Sequence, residues 1–86
     1  MANYRIVIKK SAGKELEKIR GKNRIRIIER IRSLAENPRP DGHKKLSGEE
    51  KYRIRQGDYR ILYQIQDEIV TVTVVRIAHR KDVYRK

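Results

Sequence analysis

The apolar positions change period twice along this chain. At its start Tyr4, Ile6 and Ile8 fall on alternate positions, which predicts a short strand with one buried face. Leu16 and Ile19 then stand i, i+3 behind Ser11, a residue type suited to capping a helix, and Gly21 is read as the end of that helix. A second helix follows, in which Ile27, Ile31 and Leu34 recur at i, i+4, i+7 with Ile28 and Ala35 beside them. Arg24, Arg26, Glu29, Arg30, Arg32 and Glu36 occupy its other faces. Asn37-Pro38 stops it, because a residue before proline disfavours helical backbone. Pro40-Asp41-Gly42 marks a turn inside the longest loop, residues 37–50.

From Lys51 the period returns to two and holds, with Gly57-Asp58 and Asp67-Glu68 dividing the rest into three strands. The predicted order is β-α-α-β-β-β: one α+β domain over residues 1–86, an antiparallel sheet with a two-helix hairpin packed on one face. A two-residue turn at Gly57-Asp58 sets Tyr52 opposite Tyr63, Ile54 opposite Ile61 and Gln56 opposite Tyr59 on the helix-covered face. The other face receives Arg53 opposite Leu62 and Arg55 opposite Arg60. A similar turn at Asp67-Glu68 pairs Ile61 with Val74, Tyr63 with Val72 and Ile65 with Val70, bringing Thr73 beside Leu62 and Val75 beside Arg60. A one-residue slip at either turn buries arginines and exposes the Ile/Tyr set, so the parity is well constrained.

Composition narrows the classes. The 86 residues carry 23 Lys or Arg against 11 Asp or Glu, a net charge of +12, with no Phe, Trp or Cys. The missing cysteines exclude disulfide scaffolds, thiol nucleophiles, zinc fingers and iron–sulfur sites. No apolar run approaches the roughly 20 residues that span a bilayer, and no secretory signal opens the chain; a cytoplasmic location is expected. A domain this small buries only about 60% of its unfolded surface, so its core is thin and its stability modest without a partner. The positive excess runs through both halves and points to a polyanion, nucleic acid first and an acidic protein second.

The arginine face sharpens that reading. Arg55 and Arg60 lie directly opposite one another, and like charges so placed repel by roughly 0.2–1 kcal/mol. An anion held between them converts the repulsion into a site, and guanidinium groups grip phosphate through a planar fork. The plain alternative is a set of edge charges that keep other sheets away. No acidic cluster offers a two-metal nuclease, so neither metal nor cofactor is expected. RNA, however, carries its own nucleophile: its 2′-hydroxyl attacks the adjacent phosphate when something removes its proton and cations stabilise the intermediate. Arginines serve the second need and not the first. For the first, the tail offers His79, which continued strand parity places on the Arg60 face, and Tyr84, whose acidity neighbouring cations raise. Tyr84 equally suits stacking on a base or anchoring the C-terminus, and His79 equally suits an ordinary surface position. His43 has no motif around it and is read as structural. Lys14, Lys18, Arg20, Lys22 and the arginines of the second helix suit either a solvated surface or long-range steering of RNA.

Four fragments together carry a resemblance. Lys45-Leu46-Ser47-Gly48, Tyr52-Arg53-Ile54-Arg55, Gly57-Asp58-Tyr59-Arg60 with Leu62-Tyr63, and His79-Arg80 with Val83-Tyr84 are similar to the RelE branch of the RelE/ParE toxins, in order and over essentially the whole chain. The resemblance implies a toxin that enters the 70S ribosomal A site and cleaves mRNA there without metal, and an antitoxin of RelB type that wraps it. By position it implies that Arg53, Arg55, Arg60, Arg80 and Tyr84 carry cleavage, with His79 a further acid–base candidate. Lys45, Lys51 and Lys81 are the expected RNA contacts. At 53 and 55 some members have lysines; arginine keeps their charge and loses most of their capacity for proton transfer. Two other readings stand beside this one: a ParE-type toxin that inhibits DNA gyrase without catalysis, and a non-catalytic RNA-binding protein.

Overall fold

The apolar stripes meet in one layer between two helices and a sheet. The computed structural model describes residues 3–46 and 51–83. Its elements are β1 (Arg5–Ile8), α1 (Lys10–Glu17), α2 (Gly21–Ser33), β2 (Lys44–Leu46), β3 (Lys51–Gln56), β4 (Tyr59–Gln66) and β5 (Thr71–His79), with a 3-10 turn over Asp67–Ile69. The sheet has five strands in the order β1-β5-β4-β3-β2.

The expected α+β layering is present, with two refinements. β1 joins parallel to β5 (Ile6 beside Val72), so the sheet is mixed; β2, three residues without alternation, pairs antiparallel with the start of β3. The helix signals also resolve differently. α1 begins at Lys10 and its N-cap is Lys9, not Ser11, because the Lys9 N–H still bonds the Val74 carbonyl of the sheet at 2.9 Å and the chain turns straight from strand into helix. Gly21 opens α2 instead of closing α1; its φ of +67° lets the backbone reverse between the helices. Ile27, Ile31 and Leu34 are buried as their spacing predicts. They pack with Ala12 and Ile19 over Tyr52, Ile54, Ile61, Tyr63, Ile65, Val72, Val74 and Ile77. Burying each such aliphatic side chain contributes about 1.5–3 kcal/mol.

The β3–β4 hairpin has the predicted register throughout, from Tyr52 with Tyr63 to Gln56 with Tyr59. Gly57 takes φ of +59° while Asp58 does not leave the normal region, the pattern of a II′ turn, whose twist suits paired strands. The β4–β5 connection departs from expectation. It occupies four residues, the 3-10 turn plus left-handed Val70 (φ 48°), so Ile65 pairs with Val72 and Tyr63 with Val74. That two-residue shift leaves every face unchanged. A bulge between Leu62 and Tyr63 does not: the extra residue on β5 makes Leu62 pair with Arg76, Ile61 with Ile77, Arg60 with Ala78 and Tyr59 with His79. Arg76 and Ala78 therefore take the places expected for Thr73 and Val75. His79 comes out on the Tyr59 side, opposite to the face predicted for it.

Candidate nucleic-acid interface

On the sheet face away from the helices the registers line up basic side chains in rows. Lys44, Arg53, Leu62 and Arg76 form one row across four strands. Arg55, Arg60 and Ala78 form the next, toward the Gly57-Asp58 turn, while Leu46, Lys51, Gln64 and Thr73 form the one on the other side. No Asp or Glu occupies any of these registers. The centre of the first row is not open to water. Arg53 is only 9% exposed, and its Nε is buried without a hydrogen-bond partner. Leaving a buried donor unsatisfied costs about 1–3 kcal/mol, more when it belongs to a charged group.

Leu62 (9% exposed) and Val83 (1%) are buried outside the main core. The segment after β5 folds back: the Arg80 N–H bonds the Asp58 carbonyl at 2.7 Å, and the Asp82 and Val83 amides both return to the His79 carbonyl. Arg76 Nη2 donates to the Asp82 carbonyl at 3.0 Å. Arg80 is thereby brought to the hairpin turn, its Nε 4.0 Å from an Asp58 carboxylate oxygen. Arg60 is half-buried, its Nη1 donating to the carbonyls of Gly57 and Tyr59. Arg55, across from it, is exposed. Arg53, Arg55, Arg60 and Arg80 thus gather around one end of the sheet, a cluster suited to a phosphate bearing developing charge.

The remaining candidates scatter. His79 sets its ring edge-on to Tyr59 at 5.8 Å, and its Nδ1 accepts the Lys81 N–H at 3.2 Å, which leaves the proton of the neutral ring on Nε2. Lys45 is in register with Tyr52 and so belongs to the helix side; its neighbour Lys44 stands beside Arg53 instead. Lys51 keeps its place on the arginine face, and Lys81 is exposed on the returning segment. Tyr84 lies outside the described residues. Arg76 and Lys44 were not foreseen. Lys44 sits in a loop without period, and Arg76 reaches this face only through the bulge, whose one trace in the sequence is the unbroken Val74-Val75 pair.

A second polar cluster lies at the opposite end. Arg39 grips both Asp67 carboxylate oxygens (2.9 and 3.3 Å), and Tyr4 donates to one of them at 2.6 Å. The Arg39 bond first, and the Tyr4 bond second, hold the Asp67 carboxyl below the ordinary carboxylate range; the same Asp67 bond pushes the Tyr4 hydroxyl up. Tyr52 receives a longer contact from Arg39 (3.4 Å). Tyr63, its hydroxyl donating to the Pro38 carbonyl at 2.7 Å, is pushed up to about 12 by burial. His43 donates from Nδ1 to the Pro40 carbonyl at 2.7 Å and packs near Tyr52, a structural role. This corner, though exposed, spends its polar groups on binding the chain to itself.

Comparison with known proteins agrees with the fold. The family model of the ParE toxin of the parDE type II toxin–antitoxin system matches residues 6–84. The RelBE2 toxin–antitoxin complex of Mycobacterium tuberculosis contains a chain 30% identical, at a TM-score of 0.81 over 91% of this chain and 99% of that one. An archaeal RelE–RelB complex from Pyrococcus horikoshii gives 27% identity and a TM-score of 0.83 over 96% and 100%. Toxin RelG of Mycobacterium tuberculosis is 49% identical over 35 residues, 41% of this chain and 40% of that protein's length, so this sequence match spans less than half of either chain. With both helices and all of the sheet but Arg5 inside the matched region, the chain belongs to the RelE/ParE superfamily of type II toxin–antitoxin toxins.

Proposed function

We propose that this toxin is a ribosome-dependent endoribonuclease that cuts mRNA in the A site and so inhibits translation. The observation that carries the reading is the gathering of Arg53, Arg55, Arg60 and Arg80 at one end of the open sheet face, with Arg53 held against the sheet and its Nε unpartnered. In this reading the scissile phosphate lies among the four guanidinium groups. The RNA 2′-oxygen attacks phosphorus, the P–O5′ bond breaks, and a 2′,3′-cyclic phosphate and a 5′-hydroxyl end form. The arginines stabilise the extra negative charge of the intermediate and move no proton. With His79 turned toward Tyr59, Tyr84 is left to take the 2′-hydroxyl proton, which then passes to the departing 5′-oxygen. Lys51 and Lys81 extend the basic surface along the RNA backbone. Several solved relatives are toxin–antitoxin complexes, and a +12 chain suits a net-acidic antitoxin. Cytoplasmic action follows from the ribosomal target.

A second reading has its own support, since the matching family model is that of ParE. In it the same fold inhibits DNA gyrase and cuts nothing. Primer extension on an mRNA in a reconstituted translation reaction separates the two, with wild type, Arg60→Ala and Arg55→Ala side by side. Cuts at fixed codon positions, present only with ribosomes and wild-type protein, establish the nuclease. Folded protein that makes no cuts but blocks DNA supercoiling overturns it in favour of gyrase.

A further inference from the structure

We infer that Arg76 is a positioning residue: bridging Glu15 of α1 to the Asp82 carbonyl, it latches the returning segment that carries Arg80 onto the arginine face. The inference rests on the nuclease reading for its consequence, and on geometry alone for the latch. β1 pairs with β5 only as far as Ile8 with Val74, while β5 runs on to His79. Along that outer edge of β5 α1 takes the place of a strand, a way of covering an edge that also removes its pairing capacity. Glu15 Oε1 accepts the Ile77 backbone N–H at 3.0 Å, filling one ladder position, and its Oε2 lies 3.6 Å from Arg76 Nε. The carboxylate is therefore fixed by backbone before it meets the guanidinium. Arg76 then spends its outer nitrogen on the Asp82 carbonyl.

The planar fork suits this two-ended task. It spans two partners at a fixed angle, which a lysine ammonium on its flexible stem does not reproduce. The bulge supplies a second, independent observation. Without the extra residue on β5, Val75 would face Leu62; with it, Arg76 does, in the row of Arg53. Bulges re-aim single side chains in this way near functional sites. The segment held by Arg76 does two things: it buries Val83, and it ties Arg80 to the Asp58 turn beside Arg55 and Arg60. Loss of the latch frees both at once.

The test compares wild type with Arg76→Met, Arg76→Lys and Glu15→Gln as full-length proteins. Backbone amide exchange is read at Asp82 and Val83 and at the β3–β4 core amides, and ribosome-dependent cleavage is read for kcat and KM. In Arg76→Met the Asp82 and Val83 amides exchange about tenfold faster while the core amides hold their rates. The same variant loses on the order of 100-fold in kcat at unchanged KM, the signature of misplaced groups in a bound substrate. Arg76→Lys and Glu15→Gln fall between, the latter keeping an acceptor for the Ile77 amide; they decide the matter if Arg76→Met does not fold. Unchanged exchange at Asp82 and Val83, or equal acceleration over the core, overturns the latch. A wild type that cuts no mRNA sinks the nuclease reading instead, and the exchange rates still decide whether Arg76 holds the segment.

Discussion

Arg39 and Arg53 show the same side chain used in opposite ways at two ends of one sheet. Arg39 is surrounded by acceptors: both Asp67 oxygens and the Tyr52 hydroxyl, with the Tyr52 ring 5.3 Å from its central carbon. Arg53 is the more deeply buried and leaves its Nε without a partner. Satisfied hydrogen bonds stabilise, whereas a buried donor left open costs stability. The first arrangement is how a fold secures a loop. The second is a cost that a bound anion would offset, and in the nuclease reading that contrast separates the ligand end of the sheet from the other.

The largest effect should come from breaking the second end. Arg53→Met keeps the aliphatic bulk and removes the guanidinium, so ribosome-dependent cleavage should fall by about 10²–10³-fold, as for loss of one transition-state donor. The same substitution should raise stability by about 1 kcal/mol, since a buried donor without a partner is replaced by packing. That corresponds to a rise of roughly 4–8 °C in melting temperature for a domain of this size. Loss of activity together with loss of stability would mean that Arg53 is part of the scaffold, and the contrast with Arg39 would collapse.

Next comes the first end. Asp67→Asn should lower the melting temperature at neutral pH and leave cleavage unchanged. Its pH dependence follows from the depressed carboxyl. A group with lowered folded-state pKa contributes stability above its unfolded value of about 3.9 and loses it as pH falls through the folded one. The gap between wild type and Asp67→Asn should therefore be full at pH 7 and close in acid, below about pH 4. Tyr63 has the opposite sign. Its hydroxyl is raised to about 12, so its contribution is present below the unfolded value and disappears as alkali passes from about 10 upward. Tyr63→Phe should flatten that alkaline loss. Thermal melts across pH check both.

How much of this was legible beforehand depended on whether a turn announced its length. Gly57-Asp58 is a two-residue turn by its chemistry, so the β3–β4 pairs, and with them Arg53, Arg55 and Arg60, could be placed from the sequence alone. Asp67-Glu68 has no such chemistry. Its true span of four residues, and the bulge at Val75, come from packing of Val72, Val74 and Ile77 against the helices, a tertiary effect that alternation does not encode. The bulge is what turned His79 away from the arginines and brought Arg76 among them. The gathering of Arg80 with them depended on a return of the chain after β5, held by backbone bonds and by Arg76 on the Asp82 carbonyl, which no alternation reveals. Lys44 and Lys45 show the same limit at smaller scale, adjacent lysines sorted to different faces by a three-residue strand without period.

The smallest expected effect tests the structural end without touching charge. Val70 closes the β4–β5 turn at φ 48° and ψ 52°, left-handed backbone that a β-branched residue enters only under constraint. The constraint is visible: its N–H bonds the Asp67 carbonyl and its carbonyl accepts the Arg5 N–H at 2.8 Å, tying the start of β1 to the turn. The side chain is 38% exposed, so little burial is lost on replacing it. Val70→Asn keeps both backbone bonds and tolerates the left-handed region, which should raise unfolding free energy in urea by about 1 kcal/mol, the lower end of such strain. Cleavage should not change, because the turn lies at the Asp67 end of the sheet, away from the arginine rows. A gain in stability with full activity separates strain that merely closes a turn from the burial of Arg53, where relief of the cost removes the function. If Val70→Asn instead lowers cleavage, the two ends are mechanically coupled through β5, and Arg53 and Arg39 belong to a single device.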